Sequence, residues 1–210
     1  MMSSNFNAES LSPAPDNLVL VLSGPSGVGK DVALNAMKAR PIPLTYVVTN
    51  TTRPQRQCEI DGEHYHFVSQ TEFSRMIGAN ELLEYAEVYG NYYGVPKTMV
   101  CQALAESKDV IIKVDVQGAL TIKKRIPDAV LIFLLPPSFD ELANRLQKRG
   151  TENNNDMELR LNTARSEIEL LPLFNYAVVS YSNRIEDIVD NVAAIITAEK
   201  LRVKSRSFDI

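Results

Sequence analysis

The chain has 210 residues, 45% apolar and 23% charged, which suits one soluble globular domain with a full core. Its formal net charge of −4 excludes a nucleic-acid binder held by bulk positive charge, so any phosphate must be met by local basic groups. The two cysteines, Cys58 and Cys101, belong to no CxxC or His–Cys cluster; they suit a reduced, cytoplasmic setting and carry no metal signature. No apolar run is long enough to span a membrane.

Residues 1–16, MMSSNFNAESLSPAPD, have neither a basic n-region nor an apolar h-region and are expected to be a flexible tail rather than a secretory signal. A single domain is expected over 17–205. It opens with Leu18–Leu22, a short run of Leu and Val with the pattern of a parallel strand covered on both faces. Similar strands are predicted at Val110–Val114, Val130–Leu134 and Ala177–Val179. Helices are predicted at Val32–Ala39, Lys97–Ser107, Gly118–Arg125, Phe139–Lys148, Glu158–Leu170 and Ile185–Lys200. Strand and helix in alternation give an α/β fold with a parallel sheet and right-handed crossovers.

Two stretches break that rhythm. From Tyr46 to Tyr93 the chain reads YVVTNTTR, HYHFVS and LLEYAEVYGNYYG, β-rich pieces predicted to form an inserted, mostly antiparallel lobe over 46–95. KRGTENNND, with three consecutive Asn, is expected to be a mobile, solvated loop between two helices.

The motif that carries chemistry is GPSGVGK, Gly24 to Lys30, placed after a strand and before a helix as a phosphate-binding loop requires. Gly24, Pro25, Ser26, Gly27, Val28 and Gly29 turn backbone N–H groups toward phosphate oxygens, and the helix that follows adds its positive end. Lys30 supplies a mobile point charge for the β- and γ-phosphates. The chain is therefore expected to bind a nucleoside triphosphate. Downstream, Arg53 and Arg56 in TTRPQR can present two forked donors to one phosphate, and Tyr65 and Tyr93 add phenolic donors without charge. His64 and His66 alternate in a predicted strand and so point to opposite faces, which does not favour a shared metal. KKR at 123–125 and RVKSR at 202–206 read as solvated surface charge.

GPSGVGK, TTRPQR, DGEHYHFVS, LLEYAEVYGNYYGVPK, VDVQGA and RGTE stand in the order seen in guanylate kinases, and the resemblance covers about residues 18 to 200. It implies a P-loop NTPase-type parallel sheet with flanking helices, an inserted nucleotide-monophosphate lobe and a small lid. The core would be 17–45, 96–138 and 171–205, and the lid about 139–170. It also implies transfer of the γ-phosphoryl of ATP to GMP, with Mg²⁺ as the cofactor. By the same resemblance Arg53, Arg56, Tyr65 and Tyr93 hold the GMP phosphate, and Glu84 reads guanine. That role suits a carboxylate, which accepts from both N1–H and the N2 amino group and leaves adenine unmatched. Asp115 matches a second acidic group near the amino edge, and Thr49 stands where the family usually has Ser. Arg145, Arg149 and Arg160 match lid arginines that reach the phosphates or the donor base. Lys30, Arg53, Arg149 and Arg160 are the expected catalytic set, acting by electrostatic stabilisation.

Three positions depart from the pattern. Val95 replaces a usual Ser or Thr and cannot donate to guanine O6. Asp31 follows Lys30 where a hydroxyl normally serves Mg²⁺, and Lys113 replaces the first acid of a D-x-D strand end. Asp31 can take the metal side, since carboxylate oxygen suits Mg²⁺, or it can pair with Lys113 and leave the ion to the triphosphate. Glycine-lysine-aspartate loops are known in guanylate kinases of cyanobacteria and plant organelles and in ribose 1,5-bisphosphate phosphokinases. That last activity is one rival reading; a protein-binding guanylate-kinase-like module is another, disfavoured by the intact Lys30, the loop glycines and the lid arginines. The expected partners are ATP and GMP, with no nucleic acid or membrane; a homo-oligomer is left open.

Overall fold

In the computed structural model, residues 17–88, 90–148, 154–203, 206, 208 and 210 are described. The tail over 1–16 and Arg149 lie outside them, as do 150–153 of KRGTENNND.

Five parallel strands form the main sheet: β1 (Val19–Ser23), β2 (Leu44–Val47), β7 (Asp109–Lys113), β8 (Val130–Leu135) and β9 (Tyr176–Val179), in the order β2-β7-β1-β8-β9. Its centre follows from the alternation of side chains along β1. Leu18, Leu20 and Leu22 go to one face, packed with Ala33 and Met37 of α1 (Lys30–Lys38) and with Ile188, Val189 and Val192 of α7 (Ile185–Lys200). Val19 and Val21 go to the other face. They pack there with Val100 and Ala103 of α3 (Lys97–Ala105) and with Ala119 and Ile122 of α4 (Val116–Arg125). Both faces are covered, so the strand can be apolar at every position.

The second sheet has the order β4-β3-β6-β5, from β3 (Asn50–Thr51), β4 (His66–Phe67), β5 (Leu82–Val88) and β6 (Asn91–Pro96). Its β5–β6 and β3–β6 pairs are antiparallel and β3–β4 is parallel. Tyr46 and Val47, expected in the inserted lobe, instead finish β2 in the main sheet, where Val47 pairs with Ile112. The lobe also carries a helix, α2 (Gln70–Gly78), capped by Ser69, whose hydroxyl accepts from the Glu72 N–H. His64 lies in a turn before β4, and its Nδ1 accepts from the Ile60 N–H, so the two histidines do not share a strand.

Leu83 of β5 and Val95 of β6 belong to the same apolar cluster as α3 and α4, which fixes the lobe against the core. Arg125 strengthens that seam by donating to the carbonyls of Leu82 and Leu83. The "KKR" segment is thus structural in part: Lys123 also donates to the Ala129 carbonyl at 2.6 Å.

On the other side stand α5 (Phe139–Lys148) and α6 (Asn154–Glu169), packed through Leu142, Leu146, Leu161 and Ala164. The helix claims Asn154, Asn155 and Asp156, which the sequence reading gave to a loop. At the C-terminus Glu199 is buried in α7, receiving 2.6 Å and 3.2 Å bonds from the Tyr176 hydroxyl and Arg202. Arg206 closes onto the same carboxylate, and its side chain is only 3% exposed, so this arginine of RVKSR is not solvated charge.

Candidate active site

In an open parallel sheet, ligands settle at the carboxyl ends of the strands, where loops leave toward opposite faces. Here the loop after β1, the end of β7 and helix α6 enclose one side of a cavity of about 600 Å³; strands β5 and β6 and the residues flanking β3 enclose the other.

The loop between β1 and α1 owes its shape to close contacts. A Cβ at Gly24, whose φ is +142°, would stand 2.4 Å from the Leu134 carbonyl oxygen of β8, so only glycine lets the loop lie this close to the sheet. From behind, the Ser180 hydroxyl at the end of β9 donates to the Val28 carbonyl at 2.8 Å. Arg145 of α5 donates to Val28 O at 2.9 Å and to Ser180 O at 2.6 Å, with Glu141 at 3.1 Å. The sequence expectation put Arg145 on the nucleotide; its guanidinium is engaged in bracing the loop and the end of β9. Gly24, Ser26, Gly27, Val28, Gly29, Lys30 and Asp31 line the cavity. Lys30 Nζ donates to the Gly24 and Pro25 carbonyls at 2.5 and 3.2 Å, and burial lowers its pKa against the pull of Glu167, Asp31 and Asp115.

Across the cavity lie Thr49, Arg53, Arg56, Tyr65, Glu84, Tyr93 and Asp115, all seven expected acceptor-side residues. Arg53 is held in place before any ligand arrives: two bonds of 2.9 and 2.7 Å tie it to Glu59, and its guanidinium lies 5.4 Å from the Tyr65 ring centre. Burial opposes its charge, but bonds to Glu59 and Tyr93 outweigh burial and push its pKa up.

Glu84 is 3% exposed and faces Asp115 across Gly118, where an added Cβ would meet Glu84 Oε1 at 2.8 Å and Asp115 Oδ1 at 3.1 Å. Glycine at 118 is therefore what lets two carboxylates share this corner. Asp115 also caps α4, its Oδ1 accepting from the Gly118 N–H at 2.7 Å. Burial, reinforced by Asp115 and opposed by Arg125, pushes the Glu84 carboxyl up to about 8.

Of the lid arginines, Arg160 lines the cavity from α6, and Arg149 lies outside the described residues. Sequence reasoning missed Glu167, seven residues beyond Arg160 and on the same helical face. It lines the cavity, its Oε2 is buried without a hydrogen-bond partner, and burial raises its pKa to about 7. An i, i+7 pairing of Arg with Glu on a helix beside the loop was the available signal. Asp31 and Lys113, the two departures from the expected pattern, meet: Asp31 Oδ1 is 2.5 Å from Lys113 Nζ, the pairing weighed as the alternative to a metal role.

A phosphate loop that shares one cavity with two arginines and a buried carboxylate is the arrangement the guanylate kinase resemblance leads one to expect. The comparisons decide the family. A family model described as guanylate kinase matches residues 17–199. The chain belongs to the guanylate kinase family. A guanylate kinase of Clostridium tetani is 45% identical over 186 residues, 89% of this chain and 88% of that one. "Guanylate kinase 2, chloroplastic/mitochondrial" of Oryza sativa subsp. japonica is 40% identical over all 210 residues, 74% of its own length. The crystal structure of guanylate kinase from Anaplasma phagocytophilum superposes with a TM-score of 0.74 at 30% identity, covering 90% of this chain and 89% of that one. As a guanylate kinase the chain has the fold expected of it, a P-loop kinase sheet with a second, smaller sheet beside it.

Proposed function

We propose that the cavity transfers the γ-phosphoryl of ATP to GMP, giving ADP and GDP. The observation that carries this reading is the shared cavity itself: Lys30 and Glu84 line the same enclosure, so donor and acceptor meet without crossing solvent. ATP phosphates lie in the backbone N–H cradle of Gly24 to Gly29, with Lys30 leaving its loop carbonyls for the β- and γ-oxygens. The acceptor phosphate is gripped by Arg53, Arg56, Tyr65 and Tyr93. Guanine enters beside Glu84, Asp115 and Thr49, and Val95, fully buried, forms an apolar wall there. Arg160 and Arg149 are assigned to the charge that spreads over the phosphoryl in transit, the main task left to protein in this chemistry.

The donor set also fits Mg²⁺ delivered with the triphosphate. Among the described residues no three His, Cys, Asp or Glu side chains form a metal cage, and an ion that keeps its waters and phosphate ligands needs only one or two carboxylates. Asp31, at the start of α1 and half exposed, is the carboxylate so placed. Bound there, Mg²⁺ would neutralise charge on the β- and γ-phosphates.

The two cysteines are free and exposed, which supports a reducing, cytoplasmic location. A coupled assay offering GMP, dGMP, AMP and ribose 1,5-bisphosphate as acceptors tests the function. GMP is expected to be preferred; equal rates with AMP would refute the guanine assignment, and preference for the bisphosphate would transfer the site to a sugar-phosphate kinase.

A further inference from the structure

Lys113 ends β7 with its side chain only 11% exposed, yet it lines the cavity. Its ammonium has three N–H donors. One goes to Asp31 Oδ1 at 2.5 Å and another to the Tyr65 hydroxyl at 3.0 Å, with Nζ 4.2 Å from the Tyr65 ring centre. A structural ion pair accounts poorly for this placement. Asp31 is 53% exposed, so water weakens its attraction, while the lysine bears nearly the whole cost of leaving solvent. Nor does a structural pair explain why the lysine also donates to a tyrosine of the acceptor side.

We propose that Lys113 is a phosphate-binding residue for the acceptor nucleotide, donating to its monoester phosphate together with Tyr65. Because the phenol oxygen accepts from Lys113, its own O–H is left to donate elsewhere and can serve a second phosphate oxygen. The two side chains thus form a bonded pair of donors for one anion, with the Arg53 guanidinium 5.4 Å from the same Tyr65 ring. Lys113 brings a full charge to the end of β7 nearest both Lys30 and Tyr65. The inference rests on the acceptor-side reading given above.

Calorimetry separates the two. Wild-type protein, Lys113→Met and Lys113→Arg are each titrated with GMP, with guanosine and, in EDTA, with ATP. Wild type should bind GMP more tightly than guanosine. In Lys113→Met that ratio should fall about tenfold to a hundredfold, with guanosine affinity unchanged, and Lys113→Arg should restore most of it. A ratio kept within about twofold in Lys113→Met, or a loss equally large for ATP, overturns the proposal while leaving the acceptor site standing. A wild type that binds GMP no better than guanosine overturns the acceptor reading itself. Should Lys113→Met fail to fold by circular dichroism, Lys113→Gln carries the same titrations.

Discussion

Glu84 presents a thermodynamic contradiction that binding must resolve. A carboxyl held at about 8 is protonated at pH 7, yet reading guanine N1–H and N2 requires two acceptor oxygens, hence the carboxylate. Guanine therefore binds with release of a proton. With a pKa one unit above the pH, about 0.9 proton should leave per guanosine bound, and the ionisation costs about 1.4 kcal/mol, or tenfold in affinity. The assay is calorimetry with guanosine in buffers of different ionisation heat, the nucleoside being chosen because it carries no titrating phosphate. Observed heats should scale with buffer heat at a slope near that value, and affinity should rise up to about pH 8 and then level off. The unliganded protein should show the opposite sign. Its folded state keeps a proton that the unfolded state gives up above the ordinary value of 4.5, so stability falls as pH rises from there to about 8. Glu84→Gln should remove both effects: a higher Tm than wild type at pH 8, no proton release, and loss of guanine preference. Heats independent of the buffer, with guanosine still bound tightly, would refute the argument.

Two further outcomes follow from the same cavity. Glu167, near 7 and close to Lys30, should be driven further toward protonation by the negative triphosphate, so ATP titrated in EDTA at pH 8, where the carboxyl and the ATP phosphates are both largely ionised, should take up part of a proton; Glu167→Gln should abolish that uptake. Arg145→Ala should cost about 2 kcal/mol, read as a fall in Tm of roughly 4–8 °C, because Ser180 O loses the Arg145 donor and Val28 O is left with the Ser180 hydroxyl. It should raise the KM for ATP while leaving GMP binding unchanged.

Much of this site was legible before any coordinates. The loop from Gly24 to Lys30 is a contiguous motif, and seven residues expected on the acceptor side, scattered from Thr49 to Asp115, line the same cavity. Contiguous apolar runs likewise placed β1, β7 and β8 within a residue or two. What escaped was set by partners far away in sequence. Leu44–Val47 reads LTYV, a half-polar edge strand whose membership in the main sheet comes from pairing with Leu44↔Asp109 and its neighbours. Arg145 is expected on the nucleotide from its place among the arginines of 145–160; its bonds to Val28 O and Ser180 O become visible only where those distant carbonyls converge beneath it. Glu167 showed only its i, i+7 spacing from Arg160, since its burial comes from the packing of α6 over the loop side of the cavity.

The bond between Glu199 and Arg206 has a practical bearing on how this protein is handled. Arg206 reaches back to the Glu199 side chain and also donates to its backbone carbonyl at 3.0 Å, and Phe208 packs on the apolar cluster beneath α3 and α4. Arg206 is thus insulation for a buried carboxylate, and replacing it would leave that charge to Tyr176 and Arg202. Arg206→Ala would therefore register first as a less stable protein, read as a fall in Tm, rather than as altered turnover.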